Sequence, residues 1–437
     1  MSTVKPSRYN HFFPYQDGKS IAFNALSTSL ALIGEKELSE YNAFCTNGTP
    51  LPTELEADLR KGLFVLDDFV NELDVLRYRM LRSRYGTDSL AFTLAPTNDC
   101  QFDCVYCYEK GALTNKYMTQ EVQDKIVEML EQRKGLISHF DVTWYGGEPL
   151  LAFDILENMS KRFIQICDDN QVSYKATIIT NGYLLNRDFL ERMKHLRIEY
   201  IQITIDGLPE MHNQRRPLRG GGDTFETIMN NLKDGYDLLP PINLRVNIDR
   251  VNIAAGESVR KFLIDNGLQE KVRPYFGMLM NYTGSYDSAK CLSACDFSEH
   301  SYDYAVENAS LDTPVQYPML KSAFCGADSY RMSVLDAEGW MYKCWCDLGV
   351  TKRRVGSVIE EFKSTNDLLM QYMLYDPTTS EPCMGCDVLP LCMGGCPYKR
   401  IMGNTDNCSN YKFILDKCIK NAASAFQVRK IREDKKD

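Results

Sequence analysis

From Leu90 to about Met278, short apolar runs alternate with longer stretches whose apolar positions recur every three or four residues. The strand-like runs are LAFTLAP (Leu90 to Pro96), Phe140 to Tyr145, YKATIIT (Tyr174 to Thr180), IQITIDG (Ile201 to Gly207), NLRVNID (Asn243 to Asp249) and VRPYFGM (Val272 to Met278). Helical periodicity falls between them, over Glu121 to Arg133, Leu150 to Asp169, Asn186 to Met193, Phe225 to Leu238 and Ser258 to Asn266. Apolar strands separated by helices predict a parallel sheet. Six such units are too few for a closed eight-stranded barrel. The expected fold is therefore α/β, an open, TIM-like partial (β/α)6 barrel with its chemistry at the C-terminal strand ends, where Gly, Pro and Cys punctuate the pattern.

The flanks have other textures. Near the start, NHFFPY, SIAFNA and SLALI predict three short strands, followed by helices at about Lys36 to Phe44, Pro52 to Gly62 and Asp67 to Arg84. After Met278 the alternation gives way to a Tyr- and Ser-rich connector with Cys291 and Cys295, then to a Cys-dense region from Cys325. From Tyr411 the chain reads as a helix ending in the mixed-charge run RKIREDKKD, a solvated terminus. The expected domains are a small binding module (1–88), the barrel core (89–278), a connector (279–324) and a Cys-rich domain with its terminal helix (325–437).

Bulk properties narrow the class. The 437 residues fit two or three domains. A net charge of −9 lacks the basic footprint of a nucleic-acid or anionic-membrane partner. No apolar run reaches bilayer-spanning length, and MSTVKPSRYNHFFPYQDGKS has no signal-peptide core, so the expected location is cytoplasmic. In that compartment sixteen Cys are better read as metal ligands or thiols than as disulfides. The five His fall in no nucleophile–base motif.

Cys100, Cys104 and Cys107 lie in CQFDCVYC, directly after the first strand. Three thiolates so close together can wrap one cluster, yet a [4Fe-4S] cube is normally held by four Cys, so one iron is left for a small molecule. A zinc loop short of a His, or scattered structural thiols, are the other readings. The C-x3-C-x2-C spacing, with Tyr106 before the last Cys, resembles the radical S-adenosyl-L-methionine (SAM) superfamily. That resemblance implies reductive cleavage of SAM and hydrogen abstraction from unactivated carbon by a 5′-deoxyadenosyl radical. It implies that Gly146, Gly147, Glu148 and Pro149, ending the second strand, hold the SAM amino group. Asn181 and Thr204 end the next two strands, Thr204 near the SAM carboxylate. Arg216 would pair with that carboxylate, with Arg215 as its rival and Arg245 as a weaker candidate. Tyr106 would lie against the adenine, and backbone near Met278 would close over it. On local chemistry alone, GGEP, Asn181-Gly182 and Asp206-Gly207 are also ordinary turn formers.

A second Cys string runs from Cys325 through Gly339 and Cys344 to Cys383-x2-Cys386-x5-Cys392-x3-Cys396 and Cys408. Cys383-x2-Cys386 alone would be half a zinc ribbon. The whole string, behind a radical SAM core, resembles the SPASM domain and implies two auxiliary [4Fe-4S] clusters, three clusters in all. The resemblance puts Cys383, Cys386, Cys392 and Cys408 on auxiliary cluster II, and Cys325, Cys344 and Cys396 on auxiliary cluster I. The eight-Cys form has one more Cys just upstream of Cys325, absent here; Cys346 or a substrate thiolate would complete cluster I. Cys418 rivals Cys408 but reads better as a buried helical thiol. Cys45 and Cys167 read as core thiols, and Cys291 and Cys295 as a buried helical pair or a functional one.

A radical SAM core followed by SPASM resembles the maturases of ribosomally synthesised peptides (RiPPs). The order along the whole chain is most similar to the thioether-forming sactipeptide and ranthipeptide synthases. This implies an oxidoreductase that joins a Cys sulfur of a precursor peptide to a carbon of an acceptor residue, with a flavodoxin or ferredoxin as reductant. Residues 1–88 would be a winged-helix-like recognition element that takes the leader peptide as an added strand, a stabilising cap on the barrel being the other reading. A carbon–carbon crosslinking maturase and an anaerobic sulfatase-maturing (formylglycine-generating) enzyme share the Cys motifs, and an iron–sulfur carrier without a SAM site is the non-enzymatic alternative.

Overall fold

The computed structural model describes residues 3–282, 284–361, 367–404 and 407–433. Residues 434–437, the end of the mixed-charge run, lie outside them. The chain divides into two compact units, each assembled from separate stretches: Met1–Arg84, Ser293–Asp328 and Leu374–Asp437 in the first, Tyr85–Leu292 and Ser329–Met373 in the second.

In the first unit, β1 (Val4–Pro6) pairs antiparallel with β5 (Val65–Asp67), while β2 (Asn10–Pro14), β3 (Ser20–Asn24) and β4 (Ser29–Ile33) form an antiparallel meander. Successive side chains of a strand point to opposite faces. Ile21 and Phe23 of β3 therefore enter a core with Tyr9, Leu76, Met80, Leu389, Leu391 and Ile419. Ala22 enters another, with Ile33, Tyr41, Leu59 and Phe64. The N-terminal sheet thus shares a core with the Cys-rich segment and with the helix Tyr411–Glu433. The three expected strands and the first two helices (Glu35–Asn47, Thr53–Lys61) are present. The third helix starts at Glu72 rather than Asp67. Val65 and Leu66 are buried and taken up by β1, a partner about sixty residues away that local pattern cannot reveal. The connector also hides a helix, Ala294–Glu307, whose N-cap Ser293 hydroxyl accepts from the Asp296 N–H at 3.0 Å.

The second unit is α/β, built on a mostly parallel sheet. Strands β6 (Ser89–Leu94), β7 (His139–Trp144), β8 (Ser173–Thr180), β9 (Ile198–Thr204), β10 (Ile242–Ile248) and β11 (Val272–Met278) pair in parallel, each with the next, as the six-unit partial barrel requires. Ile242, Leu244, Val246 and Ile248 of β10 are all buried, as expected for a parallel strand beneath helices. The five expected helices are there: Gln120–Glu131, Phe153–Asp169, Arg187–Met193, Phe225–Asp234 and Ala255–Asp265. A sixth, Pro209–Arg215, is too short and polar to show a period, and starts with a Pro that tolerates the first turn.

Beyond β6 the sheet continues through β12 (Met332–Leu335), parallel to β6, then β13 (Trp340–Tyr342) and β14 (Gly356–Ser357), both antiparallel. The β12–β13 turn is built on Asp336, whose carboxylate accepts from the N–H groups of Glu338 and Trp340 and from the Tyr342 hydroxyl. Among the described residues no helix is long and apolar enough to cross a membrane.

Candidate functional site at the C-terminal strand ends

The Cys triplet follows β6 and is clamped from two sides. On one side the N–H of Asp103 donates to Pro217, that of Val105 to Arg215, and that of Arg219 to Gln101, at 2.9, 3.0 and 2.7 Å. On the other side lies the Gly-Gly-Glu-Pro turn after β7, where the Glu148 N–H donates to the Asp99 carbonyl at 2.8 Å. Both glycines are required by this packing. A Cβ on Gly147 would sit 2.1 Å from the Asp99 oxygen, and one on Gly146, at φ +108°, 2.6 Å from the Ala95 Cβ. The close approach these glycines permit is made by the chain's own backbone.

Glu148 is fully buried, and its carboxylate spans two strand ends. It accepts from the Thr180 hydroxyl (2.7 Å), the Asn181 N–H (2.8 Å) and the Leu150 N–H (3.0 Å), the last starting the Pro149–Ala152 turn. Burial raises its pKa, and these hydrogen bonds oppose the rise. Burial likewise raises all three thiols, Cys107 to about 12. Cys104 feels a counteracting pull from Arg216.

Arg216 and Arg215 are neighbours with different commitments. Arg215 Nε donates to Asp206 at 3.2 Å and its Nη1 to Asp249 at 3.1 Å. Arg216 gives Nη1 to the Tyr106 hydroxyl at 2.8 Å, while its buried Nε has no partner. Burial disfavours its charge, but Cys104, Tyr106 and Asp206 more than restore it and hold its pKa above the ordinary value. The Tyr106 hydroxyl donates to Asp206 Oδ2 (2.5 Å) and accepts from Asn247 Nδ2 (3.1 Å). Asp249 also accepts from the Tyr286 hydroxyl; burial works against its charge, yet Tyr286 and Arg215 keep its pKa below the usual range. Further buried polar atoms around these strand ends lack partners: Asn181 Nδ2, Gln101 Oε1 and Asp206 Oδ1. Buried polar groups are normally paired, so this concentration of unmet donors and acceptors beside three thiols fits a polar ligand bound next to a cluster.

Thr204 is buried at the end of β9, opposite Arg245 in the β9–β10 register. Arg245 donates to Asn247 at 2.7 Å and lies where a Gly277 Cβ would be. Met278 ends β11. Sequence reasoning named Tyr106 for its ring and missed the acids beneath its hydroxyl. Asp206 had read as turn chemistry and Asp249 only as the end of a strand, and the fold brings both to Arg215.

In the first unit, Cys383, Cys386, Cys392, Cys396 and Cys408 fall in a segment of short turns. Burial raises Cys392, and the neighbouring Cys408 and Cys383 add to the rise. Three donors point at sulfur: Ser409 N–H to Cys392 (3.4 Å), Tyr375 hydroxyl to Cys383 (3.6 Å) and Lys412 Nζ to Cys386 (3.8 Å). Gly395, at φ +72°, lets the chain pass the Asn407 carbonyl, which a Cβ would meet at 2.0 Å. That passage brings Cys396 beside the strand of chain leading to Cys408, and the Cys396 N–H donates to Asn407 at 2.8 Å. Cys325 belongs to this unit, Cys344 and Cys346 to the other. The neighbouring Cys346 thiol, with burial, raises the pKa of Cys344, and Trp345 between them packs edge-on against Tyr145 at 5.4 Å.

Cys418 is fully buried with Tyr302, Val315 and Ile414, and Cys167 is buried in its helix. Cys45 is not a core thiol. It is exposed, lying in the last turn of helix Glu35–Asn47, one turn past the buried Tyr41. Cys291 and Cys295 are partly buried, Cys295 in the first turn of its helix. Among the described residues there is no disulfide, and no group of three or more His, Cys, Asp or Glu is placed to hold a single metal ion.

Residues 94–253 match the family model described as Radical SAM superfamily. The Cys100–Cys107 loop, the Gly-Gly-Glu-Pro turn and Arg216 all lie within the matched stretch. An uncharacterised protein of Methanocaldococcus jannaschii is 30% identical over 183 residues, 40% of this chain and 59% of that protein, so the match spans less than two thirds of its length. Native anSMEcpe with bound AdoMet superposes with a TM-score of 0.60 at 16% identity, covering 76% of this chain and 99% of that one. Streptococcus suis SuiB bound to the precursor peptide SuiA gives a TM-score of 0.53 at 15% identity, covering 93% and 98%. At these identities the likeness is one of fold.

Proposed function

We propose that this chain is a radical SAM peptide maturase that installs thioether crosslinks, Cys sulfur to acceptor-residue carbon, in a ribosomally synthesised precursor. The observation that carries the reading is the fold likeness, over 93% of this chain, to SuiB bound to its precursor peptide. The anSMEcpe likeness covers 76%. When bound, the SAM-loaded cluster supplies a radical strong enough to take hydrogen from unactivated carbon. The chain's own part is to hold and orient. Cys100, Cys104 and Cys107 would hold the cluster. Arg216 meets the SAM carboxylate, with Thr204 nearby, and Asn181 offers Nδ2 to the same ligand. Glu148 braces the turn that carries Gly146 and Gly147 against the Cys loop.

In this reading the Cys-rich segment is a SPASM domain, with auxiliary cluster II on Cys383, Cys386, Cys392 and Cys408. N–H and ammonium donors at its sulfurs suit thiolates that carry cluster charge. The ligands of auxiliary cluster I, Cys325, Cys344, Cys396 and Cys346, rest on the resemblance alone. The leader peptide adds a strand to an edge of the β2–β3–β4 sheet, and a small redox protein in the cytoplasm supplies electrons. Anaerobic reaction with SAM, a reductant and any short Cys-rich peptide found encoded beside this gene tests the proposal. Loss of two hydrogens per crosslink, with one Cys no longer alkylatable, is the expected result. An unshifted peptide overturns it, and conversion of a Cys or Ser to an aldehyde replaces it with the formylglycine reading.

A further inference from the structure

We infer that the Tyr106 hydroxyl is the positioning group for Arg216 in SAM binding, a role of the phenol oxygen and not of the ring. A phenol oxygen has one proton to give and two lone pairs. Here the proton goes to Asp206 at 2.5 Å, and the lone pairs receive Arg216 Nη1 at 2.8 Å and Asn247 Nδ2 at 3.1 Å. All its valences are used inside the protein, so the oxygen is a hub between β9, β10 and the Cys loop. With Nη1 anchored there, Arg216 is left with a buried, unpartnered Nε close to Cys104. A guanidinium in that state matches a carboxylate, which it binds through paired N–H groups.

The neighbouring arginine shows the contrast. Arg215 is tied to Asp206 and Asp249 and crosses the Tyr106 ring at 5.5 Å, so it fixes the acids on which the phenol hangs. Tyr106 stands between Cys104 and Cys107, and the Val105 N–H binds the Arg215 carbonyl. A shift of Arg216 is therefore transmitted to the loop that holds the cluster. Phe at position 106 would keep the aromatic surface and lose this linkage.

The inference rests on the SAM site, not on the peptide substrate. Its test uses anaerobically reconstituted full-length protein carrying Tyr106→Phe, Arg216→Gln, or both. SAM affinity is read by calorimetric titration, iron content by assay, and the reduced cluster by its paramagnetic spectrum with and without SAM. Each single change is expected to weaken SAM binding about tenfold or more with iron unchanged, and the double variant to be no weaker than Arg216→Gln alone, because the two act in series. Tyr106→Phe binding SAM as the parent does, or losses that multiply in the double variant, would overturn it. Should Tyr106→Phe load less iron, Asn247→Ala removes a donor from the same oxygen without touching the loop. Its loss of affinity must vanish in the Arg216→Gln background, and persistence there counts against the hub. A parent protein that holds iron but ignores SAM refutes the reading of the site itself, which is a separate outcome.

Discussion

The two Cys-bearing regions are held in opposite ways. The triplet after β6 hangs on a regular scaffold: parallel strand ends, two clamping segments, and a buried network of Asp206, Asp249, Arg215 and Tyr106. The string from Cys383 to Cys408 has little regular structure of its own. It is shaped by short turns, a left-handed Met393 and Gly395, and a hydrophobic core underneath. A scaffold that already satisfies its backbone can spare polar side chains for a ligand. A segment of turns relies on whatever its thiols bind for much of its order, as small metal-organised domains do.

Four measurements would break or sharpen that contrast. The largest effect is expected from Cys104→Ala: SAM cleavage falls below detection, about four irons are lost per chain, and the first unit stays folded. Cys392→Ser should cost a similar amount of iron and abolish peptide crosslinking while leaving SAM cleavage by the barrel intact. Loss of both activities would show that the regions do not act separately. Gly147→Ala drives a Cβ into the Asp99 carbonyl and should destabilise the second unit by about 1–3 kcal/mol. Chemical unfolding compares it with Gly111→Ala, an open position expected to stay within about 0.5 kcal/mol. The smallest effect belongs to Cys45→Ser, on an exposed helix face, which should alter neither iron content nor stability by more than about 0.5 kcal/mol.

What could be read from the sequence follows the same division. The strands announced themselves through short apolar runs or alternation, as in β10, where Ile242, Leu244, Val246 and Ile248 recur at every second position and are buried. Both Cys groups were visible through spacing alone. Invisible were features made by distant partners: the β1–β5 pairing, the three short strands β12 to β14, and the acids under Tyr106, which lie one hundred residues and more along the chain. The Cys45 error was one of position along the helix, since Cys45 lies on the same side as Tyr41 but one turn further on, at the exposed helix end.

The seating of β12 against β6 carries a practical corollary. Its bonds run from the Ala91 N–H to Arg331 and from the Ala95 N–H to Leu335, at 3.0 and 2.9 Å. A fragment terminated at Leu292 would shed this strand and leave a raw seam of amide groups along the first stave of the barrel, an invitation to precipitate. The stretch after Asp328 is thus a graft the catalytic half cannot be bred without, and whoever trims this gene must splice the two distant pieces together.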